Sequence, residues 1–113
     1  MNLFKKQVQK SKIYLEYVEA INGLLQLSHR EAEVFALLLR LRMESSSILS
    51  DASRKYITRE TGVTKTNISK YIRTYLEKGL LAHGEHDVLT LNDKIVPVIK
   101  DNKLQIIFDI NIV

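Results

Sequence analysis

The sequence predicts a mainly α-helical fold with a small β component, and three features carry that prediction. The stretch from Arg54 to Leu81, RKYITRETGVTKTNISKYIRTYLEKGLL, has apolar residues at helical spacing on both sides of a Gly-Val step. Two upstream segments, Ile13 to Leu25 and Ser28 to Leu41, also follow a helical period. Beyond Gly79 the pattern changes to short alternating or β-branched runs separated by turn-forming residues, as hairpins require.

Residues 1 to 12, MNLFKKQVQKSK, are polar and basic without a stable period and read as a flexible arm. Next, Ile13, Tyr14, Tyr17, Val18, Ile21, Leu24 and Leu25 fit a helix, while Ile13, Leu15 and Tyr17 also alternate as a strand does. A brief extended entry followed by a helix accommodates both patterns. Asn22-Gly23 is a candidate helix end, because both residue types tolerate positive φ. Ser28-His29-Arg30-Glu31 has the Ser-x-x-Glu spacing in which each side chain caps the other's backbone amide. It precedes Val34, Phe35, Leu37, Leu38, Leu39 and Leu41, which are apolar around so much of a helix that this one is expected at the centre of the core.

Residues Glu44 to Ser50 read as a loop with a short strand at Ile48-Leu49, and Ser53 or Asp51 as the cap of the following helix. Gly62 interrupts that helix and Thr64 offers a side-chain oxygen to cap the next, expected from Lys65 to Lys78 and closed by Gly79. Within it Ile68, Ile72, Tyr75 and Leu76 define a buried stripe; Lys65, Thr66, Asn67, Ser69, Lys70, Arg73 and Thr74 lie around the other side. Core packing is the expected job of Tyr75 and of its neighbour Tyr71, rather than base stacking. Leu80 to His83 and Val88 to Leu91 then read as strands joined by Gly84-Glu85-His86-Asp87. After Leu91-Asn92-Asp93-Lys94, the runs IVPVIK and KLQIIFDINIV flank a turn at Asp101-Asn102 and predict a hairpin over residues 95–112. Its last strand alternates Leu104, Ile106, Phe108, Ile110 and Ile112, and Pro97 restricts its own strand to an edge or an end.

The stretch from Arg54 to Leu81 resembles a helix-turn-helix with the recognition helix second, and the segment from Leu80 to Leu91 resembles the wing of a winged helix. In that motif Gly62 is the turn glycine and Ile68 the buried aliphatic. Thr58 stands where a small residue is usual and Thr61 where an aliphatic is usual, which implies looser packing between the two helices. The expected architecture is a winged helix-turn-helix with an N-terminal helical extension and a C-terminal β-hairpin. It forms a single domain over residues 13–113, with the motif at 53–78, the wing at 80–91 and the hairpin at 95–112. The order of elements as a whole is similar to the RepL plasmid replication-initiator family and related phage proteins, and more distantly to MarR-like regulators. The segments that carry this are SKIYLEYVEAINGLLQLSHREAEVFALLLRL, ITRETGVTKTNISKYIRTYLEKGLL and VLTLND. The resemblance implies binding to double-stranded DNA at an origin or operator and leaves replication and transcription both open.

Charge distribution points the same way. The net +4 divides into +4 over residues 1–12, +4 over residues 51–78 and −4 over the rest, so positive charge gathers on the motif and the arm. Lys65, Thr66, Asn67 and Lys70 occupy the first turns of the expected recognition helix, where asparagine can pair with adenine and lysine can donate to guanine. Lys55, Ser69 and Arg73, with Lys5, Lys6, Lys10 and Lys12 of the arm, are assigned to phosphates, and His86 of the wing loop completes the DNA-binding set.

Other chemistries find little support. The chain has no cysteine, no apolar run long enough to span a membrane and no apolar leader, so a cytoplasmic location is expected. His29, His83 and His86 lack a nucleophile arrangement, and His83, Glu85, His86 and Asp87 lack the ligand spacing of a defined metal site. The four glycines are scattered singly and form no phosphate loop. No catalytic residue, cofactor, metal or small-molecule substrate is therefore expected. Two functions remain: a DNA-binding initiator or regulator, and a winged-helix assembly module such as a phage structural or packaging component. Asn67, Lys70 and Arg73 favour the first. The long apolar C-terminal strand favours the second; for either function that strand is expected to pair with a second copy, giving the homodimer by which winged helices reach two half-sites, the alternative being that it packs back onto its own core beside Ile13 to Leu15.

Overall fold

A computed structural model describes residues 5–44, 50–107 and 111–113. Among them the chain forms four helices, α1 (Ile13–Leu25), α2 (His29–Glu44), α3 (Asp51–Thr61) and α4 (Lys65–Glu77). Two antiparallel hairpins follow, β1 (Leu81–His83) with β2 (Leu89–Leu91), and β3 (Ile99–Lys100) with β4 (Lys103–Leu104). None of these helices is long and apolar enough to cross a membrane. The fold is mainly α with a small β component.

There is no extended entry before α1. A 3-10 turn at Lys10–Lys12 feeds directly into the helix, because burying Tyr17, Val18 and Ile21 needs helical spacing and overrides the alternation of Ile13, Leu15 and Tyr17. Nor does Asn22-Gly23 end α1. The helix continues to Leu25, and Gln26 adopts the left-handed conformation at φ 57°. Asn22 instead sits one turn inside and clamps the exit. Its Nδ2 donates to the Leu27 carbonyl and its Oδ1 accepts from the Leu27 amide, both at 2.9 Å, which holds Leu27 in the core.

α2 begins with the expected reciprocal cap: Glu31 N–H donates to Ser28 Oγ at 3.2 Å and Ser28 N–H to Glu31 Oε1 at 2.8 Å. It is the central helix of the core, burying Ala32, Val34, Phe35, Ala36, Leu38 and Leu39. The strand expected at Ile48-Leu49 lies outside the described residues. α3 is capped by neither Ser53 nor Asp51. It starts at Asp51, so Ser50 is the residue left in extended conformation just ahead of it, and Ser50 Oγ accepts from the Ser53 amide at 3.1 Å. Asp51 then lies in the first turn, where its carboxylate favours the helix dipole.

The connection from α3 to α4 is tight. Gly62 takes φ +74° and donates to the Thr58 carbonyl at 2.8 Å. Thr61 turns its hydroxyl onto the backbone, donating to the Ile57 carbonyl at 2.7 Å and accepting from the Val63 amide at 3.1 Å. α4 stops at Glu77, one residue earlier than expected, and Gly79 at φ +76° reverses the chain while Leu80 N–H reaches back to the Tyr75 carbonyl at 2.9 Å.

β1 and β2 pair Leu81 with Leu91, Ala82 with Thr90 and His83 with Leu89, which leaves Leu80 and Val88 just outside the strands. Leu81 and Leu91 are buried against the helices. The second hairpin is much shorter than the one expected over residues 95–112. It has two rungs, Ile99 with Leu104 and Lys100 with Lys103, closed by Asp101 and Asn102 at φ 54° and 59°. Asp93–Ile95 is a 3-10 turn capped by Asn92, and Pro97 is buried with no N–H to give, so the ladder has no partner strand beyond Ile99. Tyr17 fixes this segment by donating to the Ile95 carbonyl at 2.7 Å. Leu104 and Ile106 pack on the core whereas Ile107 is 83% exposed, and residues 105–107 and 111–113 are not in a strand. Phe108 and Ile110 lie outside the described residues.

The hydroxyl of Thr58 is buried, with no hydrogen-bond partner among the described residues. An unpaired buried hydroxyl costs free energy that an apolar group of the same shape does not. Thr58→Val is therefore expected to raise stability by about 1 kcal/mol, read as a higher urea midpoint with unchanged m-value. A lowered midpoint would mean that the hydroxyl is satisfied.

Candidate nucleic-acid interface

The candidate interface is built on α4. Thr64, extended at φ −70° and ψ 158°, caps the helix by accepting from the Asn67 amide at 3.2 Å. At about 3.6 residues per turn, Ile68, Ile72 and Tyr75 fall on one side and are buried, with Tyr71 and Leu76 half-buried at its borders. The opposite side is bare. Lys65, Ser69 and Arg73 follow one another at four-residue intervals, Thr66 and Lys70 form the next row, and Asn67 lies at the edge of the arc, all six exposed. Thr74 is half-buried and donates its hydroxyl to the Lys70 carbonyl at 3.3 Å.

The electrostatics of this face are simple. No acidic residue lies in the first turn of α4, so the positive end of the helix dipole adds to the side chains of Lys65 and Lys70, while Glu77, at the last position of the Lys65–Ser69–Arg73 row, is the acid nearest Arg73 on that helix. Behind the face, Tyr75 is fully buried, its ring 5.1 Å from that of Phe35 at an interplanar angle of 52°. Its hydroxyl donates to the Glu31 carbonyl of α2 at 2.6 Å. Burial, and secondarily the Glu31 carboxylate, pushes the phenol well above its usual range, so it remains a neutral donor.

α3 contributes a flanking surface. Lys55 is exposed there, as a residue reaching a phosphate must be. Arg54, half-buried, donates from Nη1 to Ser69 Oγ at 3.5 Å and brings a second helix's guanidinium to the edge of the α4 face. Arg59 is held 5.6 Å from the centroid of the Tyr56 ring. Sequence reasoning counted Arg54 and Arg59 as charge but missed their placement, since no local spacing signals a contact between α3 and α4.

His86 stands apart from the α4 set, in the β1–β2 turn, where it adopts φ 56° and is exposed. On the arm, Lys5, Lys10 and Lys12 are exposed, while Lys6 forms an ion pair with Glu16 of α1 at 2.9 Å rather than standing alone. The structure thus gathers Lys65, Thr66, Asn67, Ser69, Lys70 and Arg73 on one helix face, sets Lys55 on the helix before it and leaves His86 on the hairpin. Such a face offers ammonium, guanidinium, amide and hydroxyl hydrogen-bond donors. Compared with known protein families, with curated proteins and with solved structures, the chain matches none of them.

Proposed function

We propose that the chain binds double-stranded DNA through a winged helix-turn-helix and acts as a replication initiator or transcriptional regulator. α4 enters the major groove and the β1–β2 hairpin is the wing. One observation carries this: a two-faced α4 whose bare side presents Asn67, Lys65, Lys70 and Arg73 with no acid in its first turn, over a stripe buried into the core. A helix with only one face spoken for, bearing both base-reading and phosphate-binding residue types, suits a groove lined by phosphates. The likeness in element order to RepL-type initiators adds to the proposal and does not separate replication from transcription. Lys55, Ser69, Arg73 and the arm lysines take phosphates, His86 meets the backbone from the wing, and Lys65, Thr66, Asn67 and Lys70 face base edges.

A second reading, an assembly module that pairs with copies of itself, draws on a different observation. Val98 at 77% exposure and Ile107 at 83%, which flank the β3–β4 hairpin in sequence, are apolar side chains left in solvent. In that reading the protein is a homodimer in sedimentation velocity, and the double substitution Val98→Asp with Ile107→Asp leaves a folded monomer. A wild-type monomer across the accessible concentration range would exclude it.

Binding assays titrated with salt on a selected duplex and on its scrambled version test the DNA reading. Asn67→Ala is expected to cost on the order of 1–3 kcal/mol on the selected site and far less on the scrambled one. Equal losses on both would remove Asn67 as a reader. Arg73→Ala is expected to weaken both duplexes alike and to lower the salt slope by about 0.9, one phosphate's worth. A slope that does not move would take Arg73 out of the interface.

A further inference from the structure

Arg30 is an exposed residue on the first turn of α2, and nothing in its local sequence marks it for a role in binding. In the structure its Nη1 donates to the Thr61 carbonyl at 2.8 Å, across 31 positions of sequence, and lies 3.3 Å from Glu33 Oε2. Thr61 is the last residue of α3, and its carbonyl is one of those that the end of a helix leaves without an intrahelical donor. The next residues are the left-handed Gly62, then Val63 with its amide on Thr61 Oγ1, then Thr64, the cap of α4. Arg30 therefore holds the point from which α4 starts. The adjacent residue, Glu31, accepts the Tyr75 hydroxyl from the far end of α4. Two consecutive residues of α2 thus hold the end of α3, from which the turn into α4 leaves, and Tyr75 near the end of α4.

We infer that Arg30 is a positioning residue for recognition: by tying Thr61 to α2 it sets the angle at which α4 presents Asn67 and Lys70, without itself touching nucleic acid. This rests on the DNA-binding proposal above. Base-edge hydrogen bonds are directional and short in range, whereas attraction to phosphates tolerates a tilted helix. Loss of Arg30 should then reduce discrimination and leave the count of phosphate contacts alone. Glu33 shares the arrangement. It pairs with Arg30 and approaches His29 Nε2 at 2.6 Å, so the guanidinium is steered from its own helix towards Thr61.

The test compares Arg30→Ala and Arg30→Lys with the wild type on a duplex selected by the wild type from a random pool and on its scrambled version. For Arg30→Ala the ratio of the two affinities is expected to fall roughly tenfold, about one base contact's worth, with the salt slope unchanged. Arg30→Lys, which keeps the charge but lacks the planar fork, is expected to recover only part of that ratio. A slope reduced by one phosphate with the ratio intact would place Arg30 directly on DNA and overturn the inference. Amide hydrogen exchange in the DNA-free protein gives an independent readout: Arg30→Ala should speed exchange at Val63 and leave Ile72 protected, and unchanged exchange at Val63 would also overturn it. A wild type that makes no distinction between sequences would sink the recognition reading and with it the role of Arg30 in recognition, and the exchange result would then decide only whether Arg30 orders the turn.

Discussion

The structure depends on how the buried side of α4 is fastened to the rest of the core, between α3 and β1 and, through Tyr75, onto α2. A helix that must leave one side bare can be held only by the other, and here that side is narrow: Ile68, Ile72 and Tyr75, with help from the half-buried Leu76. Tyr75 carries the polar part of the attachment, because its hydroxyl reaches the Glu31 carbonyl while its ring lies against Phe35. The bond has a second consequence for α2. Its acceptor belongs to the same residue whose side chain completes the Ser28 cap, so the start of α2 and the back of α4 meet at one residue.

Much of this was legible in the sequence because it is local. The Ser28 and Glu31 cap, the Thr64 cap, the turn at Gly62 and the reversal at Gly79 are each written within a few residues, and a reader of spacing finds them. The bare and buried sides of α4 were equally plain, since helical period alone sorts Lys65, Ser69 and Arg73 from Ile68, Ile72 and Tyr75. The composition of the candidate face was therefore readable from the order of residues alone.

What stayed hidden required knowledge of a partner. Asn22 looks like a helix terminator until the helix runs past it and its amide is free to hold Leu27. Ser50, Asp51 and Ser53 are all cap formers within one turn, and which of them caps α3 is decided by where the helix starts, not by residue type. The final segment alternates like a strand, but alternation says which face is apolar and not whether a neighbouring edge exists; the 3-10 turn at Asp93–Ile95 and the missing N–H of Pro97 withhold that edge. The contacts from Arg54 to Ser69 and from Arg30 to Thr61 span 15 and 31 positions, beyond any periodic signal.

The two-rung β3–β4 hairpin has one further property. Its register sets Lys100 directly across from Lys103, so half of its ladder opposes like charges. Their repulsion weakens as counter-ions accumulate, over a range set by the Debye length of about 10 Å at 0.1 M salt. Like charges set directly opposite weaken a ladder, so salt that screens them favours the pairing of these two short strands.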